Sequence, residues 1–220
     1  MTQETFDFGN GPVPAQRHRN PDGSEGGWVA ETASVAETVY VGKDAQIWDR
    51  ARIWGNARIF DNVQISGYAK VSGNTLICGN AQILGKAWIF DNVRIWGDVQ
   101  ISGVALIFNN AQICGNVKIS RTEQVLTLGP IGSENDILTV VFDEGGKIWC
   151  GRGCFWGTLA EFQAAVEQKP KGDKHREEYL NTIHYIESIR KFRQKVRFSP
   201  IGKTTFGNFW KRYFRFSTKS

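Results

Sequence analysis

Few side chains in this 220-residue chain are equipped for acid-base, nucleophilic or metal chemistry. There are three histidines, His18, His175 and His184, and four cysteines, Cys78, Cys114, Cys150 and Cys154. A histidine can serve as a general base, but it needs a partner to orient it and a substrate to face. Cys150 and Cys154 form a CGRGC run. A zinc site would need two further ligands at suitable spacing, and His175 is the one loose candidate, so no metal is expected. Cys78 and Cys114 fall on repeat positions and read as filler. With no export signal, reduced thiols are expected rather than disulfides. No set of residues forms a recognisable catalytic constellation, and no catalytic residue is assigned.

Backbone groups offer a second kind of chemistry. Leu128–Asp136 reads LGPIGSEND, a Gly-rich turn between two apolar runs. Its Gly132 and Ser133 could present N–H groups to an anion. Arg152 could add charge, as could Lys147. The stretch 151–157 is also Gly-rich and leads through Trp156 and Thr158 into a helix start, another favourable anion position. His175 lies on the next predicted helix. These residues, Gly132, Ser133, Arg152, Trp156, Thr158 and His175, are the candidate ligand contacts, for a phosphate-bearing small molecule. The GxxxxGK[ST] and GxGxxG fingerprints are both absent, so no nucleotide cofactor is expected. The plainer alternative is that the glycines only make tight turns.

The elements that must position these residues are dominated by a repeat. From Val29, every sixth residue is Val or Ile without a gap through Ile119, sixteen in all. Four residues after each comes a small or β-branched residue, as in Ala45, Ala51, Ala57 and Val63. Between them lie pairs such as Gly55-Asn56, Asp61-Asn62 and Gly79-Asn80. A period of six is even, so it keeps one strand face pointing inward, and the step of four keeps the small residue inward too. Gly, Asn and Asp tolerate left-handed backbone angles at the turns. The spacing lacks the threes and fours of a helix.

These sixteen in-register hexapeptides resemble the hexapeptide-repeat family, whose chains wind into left-handed triangular β-helices with three hexapeptides per coil. The resemblance covers about 90 residues and implies about five coils. It further implies self-association, with a trimer favoured. Many family members are acyltransferases with a catalytic histidine between subunits and a loop interrupting the coils. Here the coils contain no histidine and no interruption. His18 is the nearest stand-in for that base. An acyl-CoA-dependent acyltransferase therefore stands as the alternative to a binding or scaffold protein.

The residue following each Val or Ile should face outward. Grouped by eighteen, these positions form the columns Trp48/Ser66/Leu84/Ser102, Trp54/Ser72/Phe90/Phe108 and Phe60/Cys78/Trp96/Cys114. Trp48, Trp54, Phe60, Phe90, Trp96 and Phe108 are the expected partner surface, because such apolar columns should be covered. The alternative cover is intramolecular, from residues 1–28 or 120–220.

The flanks complete a mainly-β fold of β-helix, small α+β domain and tail. Residues 1–28 are rich in Gly, Pro and Asn and read as an irregular arm that caps the solenoid, which then spans 29–122. Residues 123–195 read as a small β-β-β-α-α domain: strands at 124–128, 137–142 and 147–150, a capping box at Thr158-Leu159-Ala160-Glu161 opening a helix, and a second helix over 173–195. The opening FGNGPVPAQRHRNPDGSEGGWVA, GPIGS at 129–133 and CFWGTLAEF at 154–162 look similar to uncharacterised proteins of phages, prophages and bacteria. That resemblance implies a host protein or a small-molecule signal as partner, and an anti-defence role in the host cytoplasm.

Charge is uneven. The net charge is +5, yet residues 196–220 hold six basic side chains and no acidic one, which leaves −1 for the rest. This tail also carries seven aromatic residues. Basic residues interleaved with aromatics suit single-stranded nucleic acid, with Trp210, Lys211, Arg212, Tyr213 and Arg215 as contacts. No apolar run approaches the ~18 residues of a membrane span, and MTQETFDFGN lacks the features of a secretory signal. A cytoplasmic location is expected.

Overall fold

The computed structural model describes residues 4–198, excepting the side chains of 194–198, and these fall into two units divided between Tyr179 and Leu180. The tail contacts expected at Trp210, Lys211, Arg212, Tyr213 and Arg215 lie outside the described residues.

The repeat is a parallel β-solenoid of about five coils. Three strands come first: β1 (Thr5–Asp7), β2 (Pro12–Arg19) and β3 (Glu25–Ala30). Strands β4 to β18 are then the two-residue strands ending on each Val or Ile from Val35 to Ile119. Each pairs with the strand eighteen residues away, as Val71 does with Ile53 below and Ile89 above. Three flat faces result. The first stacks Gln46, Gln64, Gln82, Gln100 and Lys118 on its outer side. The second stacks Ser34, Arg52, Lys70, Trp88 and Leu106. The third stacks Tyr40, Arg58, Leu76, Arg94 and Gln112.

Inside, Ile47 through Ile119 and the small residues between them are essentially sealed from solvent. Each buried Ile contributes roughly 1.5–3 kcal/mol relative to exposure. Thr75, which holds a small-residue position, is fully buried, and its hydroxyl donates to the Ser72 carbonyl. That bond removes the cost of an unpaired hydroxyl in an apolar column.

At the corners the chain takes positive φ, including at Asp49 (58°), Asp61 (54°), Asp91 (65°) and Asn109 (63°). Carboxylates here do more than tolerate the angle. Asp49 accepts from the Gly67 N–H at 2.9 Å and Asp61 from the Gly79 N–H at 2.9 Å, tying each coil to the next. Side-chain amides form a second ladder, Asn56 to Asn74 to Asn92 to Asn110, with contacts of 3.2, 3.0 and 3.1 Å.

The N-terminal arm is not irregular. β1, β2 and β3 pair antiparallel, and β3 joins the first face in parallel register, Val29 opposite Ile47. The Gly and Pro signals mark only its turns, while the strands between them satisfy the lower edge of the first coil. Gly27 is required there, since a Cβ on it would sit 2.1 Å from the Ala45 carbonyl oxygen.

After a 3-10 turn at Thr122–Gln124 come β19 (Val125–Ile131), β20 (Asp136–Phe142), β21 (Ile148–Arg152) and β22 (Phe155–Thr158). These four strands form one antiparallel sheet. Helices α1 (Leu159–Glu167) and α2 (Lys174–Phe198) follow. β22 is an addition to the three strands expected: Phe155-Trp156-Gly157-Thr158 folds back on β21 through a turn at Gly153. Among the described residues no helix is long and apolar enough to cross a membrane.

Candidate binding surface

The two outward positions of every strand, one on each side of the Val or Ile, decide what the solenoid can bind. From Ser34 to Ser120 not one of these flat positions is acidic, whereas Arg52, Arg58, Lys70, Arg94 and Lys118 are basic. The acids of the coils, such as Asp49, Asp61 and Asp91, sit at corners and are engaged with backbone N–H groups.

The second face carries the most uncovered aromatic surface. Trp54 and Trp88 are each 40% exposed and Phe108 38%. Phe90 stacks on Phe108 with ring centres 5.4 Å apart and also touches Trp88. Leu106 and the 65%-exposed Val104 lie beside them on the same coil. Trp88 and the corner residues Tyr68 and Val104 were missing from the expected surface. They precede a Val or Ile by one or three residues, and the same parity argument, applied on both sides of the inward position, finds Trp88.

The other expected surface residues separate. Trp48 is covered by Phe8, just after β1, stacked at 5.3 Å, so there the N-terminal arm supplies intramolecular cover. Phe60 is half-buried beside Tyr40, with the Arg58 guanidinium 5.4 Å from its ring centre. Trp96 is half-buried.

Four of the six candidate ligand contacts near the C-terminal sheet come together, but with partners from within the chain. The Gly132 N–H donates to the Glu178 carboxylate at 2.8 Å, so a negative charge of the protein already stands where an anion would sit. His175 Nδ1 lies 3.4 Å from the same carboxylate. Arg152 donates to the Ile131 carbonyl at 3.1 Å and stands 5.4 Å from the Tyr179 ring centre. The Gly132 N–H bond holds the Glu178 carboxyl below its ordinary value, and His175 and Arg152 add to that shift. Burial pushes Tyr179 up. Ser133 is exposed beside this cluster.

Trp156 and Thr158 do not join the cluster. Trp156 stacks on Trp149, 6.2 Å between centres, and packs against the solenoid core. Thr158 is the N-cap of α1, and its hydroxyl accepts from the Glu161 N–H.

His18 has a structural partner. Its Nε2 lies 2.9 Å from the Val39 carbonyl oxygen. A carbonyl only accepts, so Nε2 carries the proton and this bond caps the lower edge of the first coil. Asn20 caps the next residues, bonding both the N–H and the carbonyl of Val41. A general base at His18 would have to use Nδ1.

All four cysteines are free thiols. Burial raises Cys150 to about 12, and also raises Cys78 and Cys114. Among the described residues no group of three His, Cys, Asp or Glu side chains is placed to hold a metal. A shallow polar groove of about 610 Å³ runs between the Asn74/Asn92/Asn110 corner and Thr127 and Gly129 of β19.

No protein-family model matches the chain, and no curated protein or solved structure shows significant similarity to it. The resemblance to phage and prophage proteins therefore has no support from relatives, and the solenoid stands on its own observed pairing.

Proposed function

We propose that this chain is a non-enzymatic, self-associating binding or scaffold protein, in which the solenoid is a rigid platform and its second face the contact surface. The observation that carries the reading is the contiguous apolar patch of Phe90, Val104, Leu106 and Phe108, bordered by Trp88. Patches of this kind on a rigid surface are characteristic of association sites. A second copy of the chain is the proposed cover, with a trimer as the assembly. The hydrogen-bonded His18 and the histidine-free coils favour binding over acyl transfer. A host protein or a small-molecule signal, with an anti-defence role, extends this reading as the partner to be sought.

Native mass spectrometry of the full chain, purified from producing cells, tests it. The expected result is a trimer, or a complex with one defined partner, that dissociates in a Val104→Glu/Phe108→Glu variant. A monomer without partner across micromolar concentrations overturns the reading.

A further inference from the structure

The lower coils of the second face differ in character from the apolar patch. Arg50, Arg52, Lys70 and Lys86 are all exposed there, and among the described residues none of them forms an ion pair with an acidic side chain. Three exposed aromatic rings are interleaved with them: Trp54, Trp88 and the 52%-exposed Tyr68. The Arg50 guanidinium lies 5.6 Å from the Tyr68 ring centre and the Lys70 ammonium 5.4 Å from that of Trp88. Two acids share this corner, the exposed Glu31 one coil below and Asp49, whose carboxylate accepts from the Gly67 N–H. Coils stack about 4.8 Å apart, so cations and ring faces recur from coil to coil along the solenoid axis.

We infer that this surface binds single-stranded nucleic acid, its four cations meeting phosphates and Trp54, Tyr68 and Trp88 receiving bases. Four exposed cations against the two acids Glu31 and Asp49 leave a net positive surface that attracts any polyanion. Exposed ring faces between the cations add stacking, which every base can supply and which is sequence-tolerant. This site goes beyond the self-association reading and lies on other residues, with Trp88 at the boundary.

The test measures binding of a fluorescent oligothymidylate to the full-length chain by anisotropy, over a salt series, with tryptophan emission followed in parallel. Each phosphate contact on a single strand contributes about 0.7 to the slope of log affinity against log salt. Four contacts give about −3, or roughly a 50-fold loss between 50 and 200 mM salt. The Arg52→Ala/Lys70→Ala variant should bind more weakly, with a slope smaller in magnitude by about 1.4. Trp54→Ala should bind about tenfold more weakly. Tryptophan quenching should accompany binding. All these positions are exposed, and circular dichroism checks that each variant folds.

Absence of binding at 50 mM salt overturns the inference. So does an unchanged slope in Arg52→Ala/Lys70→Ala, which would place binding elsewhere on the chain. Binding without quenching, matched by heparin and indifferent to Trp54→Ala, would make this a general polyanion surface and equally overturn it. The uncharged Val104→Ser/Phe108→Ser variant separates the two readings, since it should alter assembly mass and leave the salt slope in place.

Discussion

The backbone N–H of Gln112, on the last coil, donates to the side-chain hydroxyl of Thr139 at 2.9 Å. In this solenoid the N–H groups of the residues flanking each Val or Ile point to the coil above, as those of Lys70 and Ser72 do, so the last coil would otherwise end in unpaired donors. One side-chain oxygen meets each of the three faces: Thr122 accepts from Leu106 at 3.0 Å, Thr139 from Gln112, and Asp143 from Lys118 at 2.7 Å. The turn at Thr122, strand β20 and the loop after it thus form the upper cap of the solenoid, as β1 to β3 form the lower.

These caps differ in how much they should matter. Thr139 is fully buried, so Thr139→Val strands a donor that water cannot reach, at a cost of about 1–3 kcal/mol. The Asp143 contact is exposed, and water can replace it in Asp143→Ala. Thermal melts should show a fall of several degrees for Thr139→Val and a smaller one for Asp143→Ala. Equal shifts would remove burial as the reason.

Ile77 is fully buried at mid-solenoid, paired in register with Ile59 and Ile95. Ile77→Ala should cost about 2–5 kcal/mol, because coils locked above and below leave the cavity little room to collapse. Chemical denaturation measures it. A loss below 1 kcal/mol would mean that neighbouring coils relax more than stacked strands should allow.

The Glu178 bond to the Gly132 N–H makes a pH prediction. Its folded-state pKa lies below the ordinary value of 4.5. The stability it contributes is therefore present above about pH 4.5 and is lost as the pH falls through the lower folded value. Melting temperatures of wild type and Glu178→Gln should differ near neutrality and converge in that acid range. A difference that grows on acidification has the wrong sign for this bond.

Thiol reactivity should divide the CGRGC pair. Cys154 is exposed, while Cys150 is fully buried with its thiol held at about 12. Iodoacetamide with peptide mapping should modify Cys154 in the native protein and Cys150 only on unfolding. Native labelling of Cys150 would show that β21 opens.

Much of this molecule was written in the order of its residues. An unbroken six-residue period with Val or Ile at one phase settles the solenoid, because parity alone assigns each side chain to the inside or the outside. Asp and Asn in the turns and the capping box at Thr158 follow from equally local physics. Contacts between distant segments were not legible in this way. Parity shows that Trp48 and Trp54 both face outward, but only the folded chain lays Phe8 over Trp48 and leaves Trp54 bare. It also turns His18 into a cap for Val39 and places Glu178 on the Gly132 N–H that an anion would need. Those choices depend on where Phe8, His18 and Glu178 come to rest against residues 21 to 46 positions away, or on which coil lies next to which, and a local repeat carries no record of either.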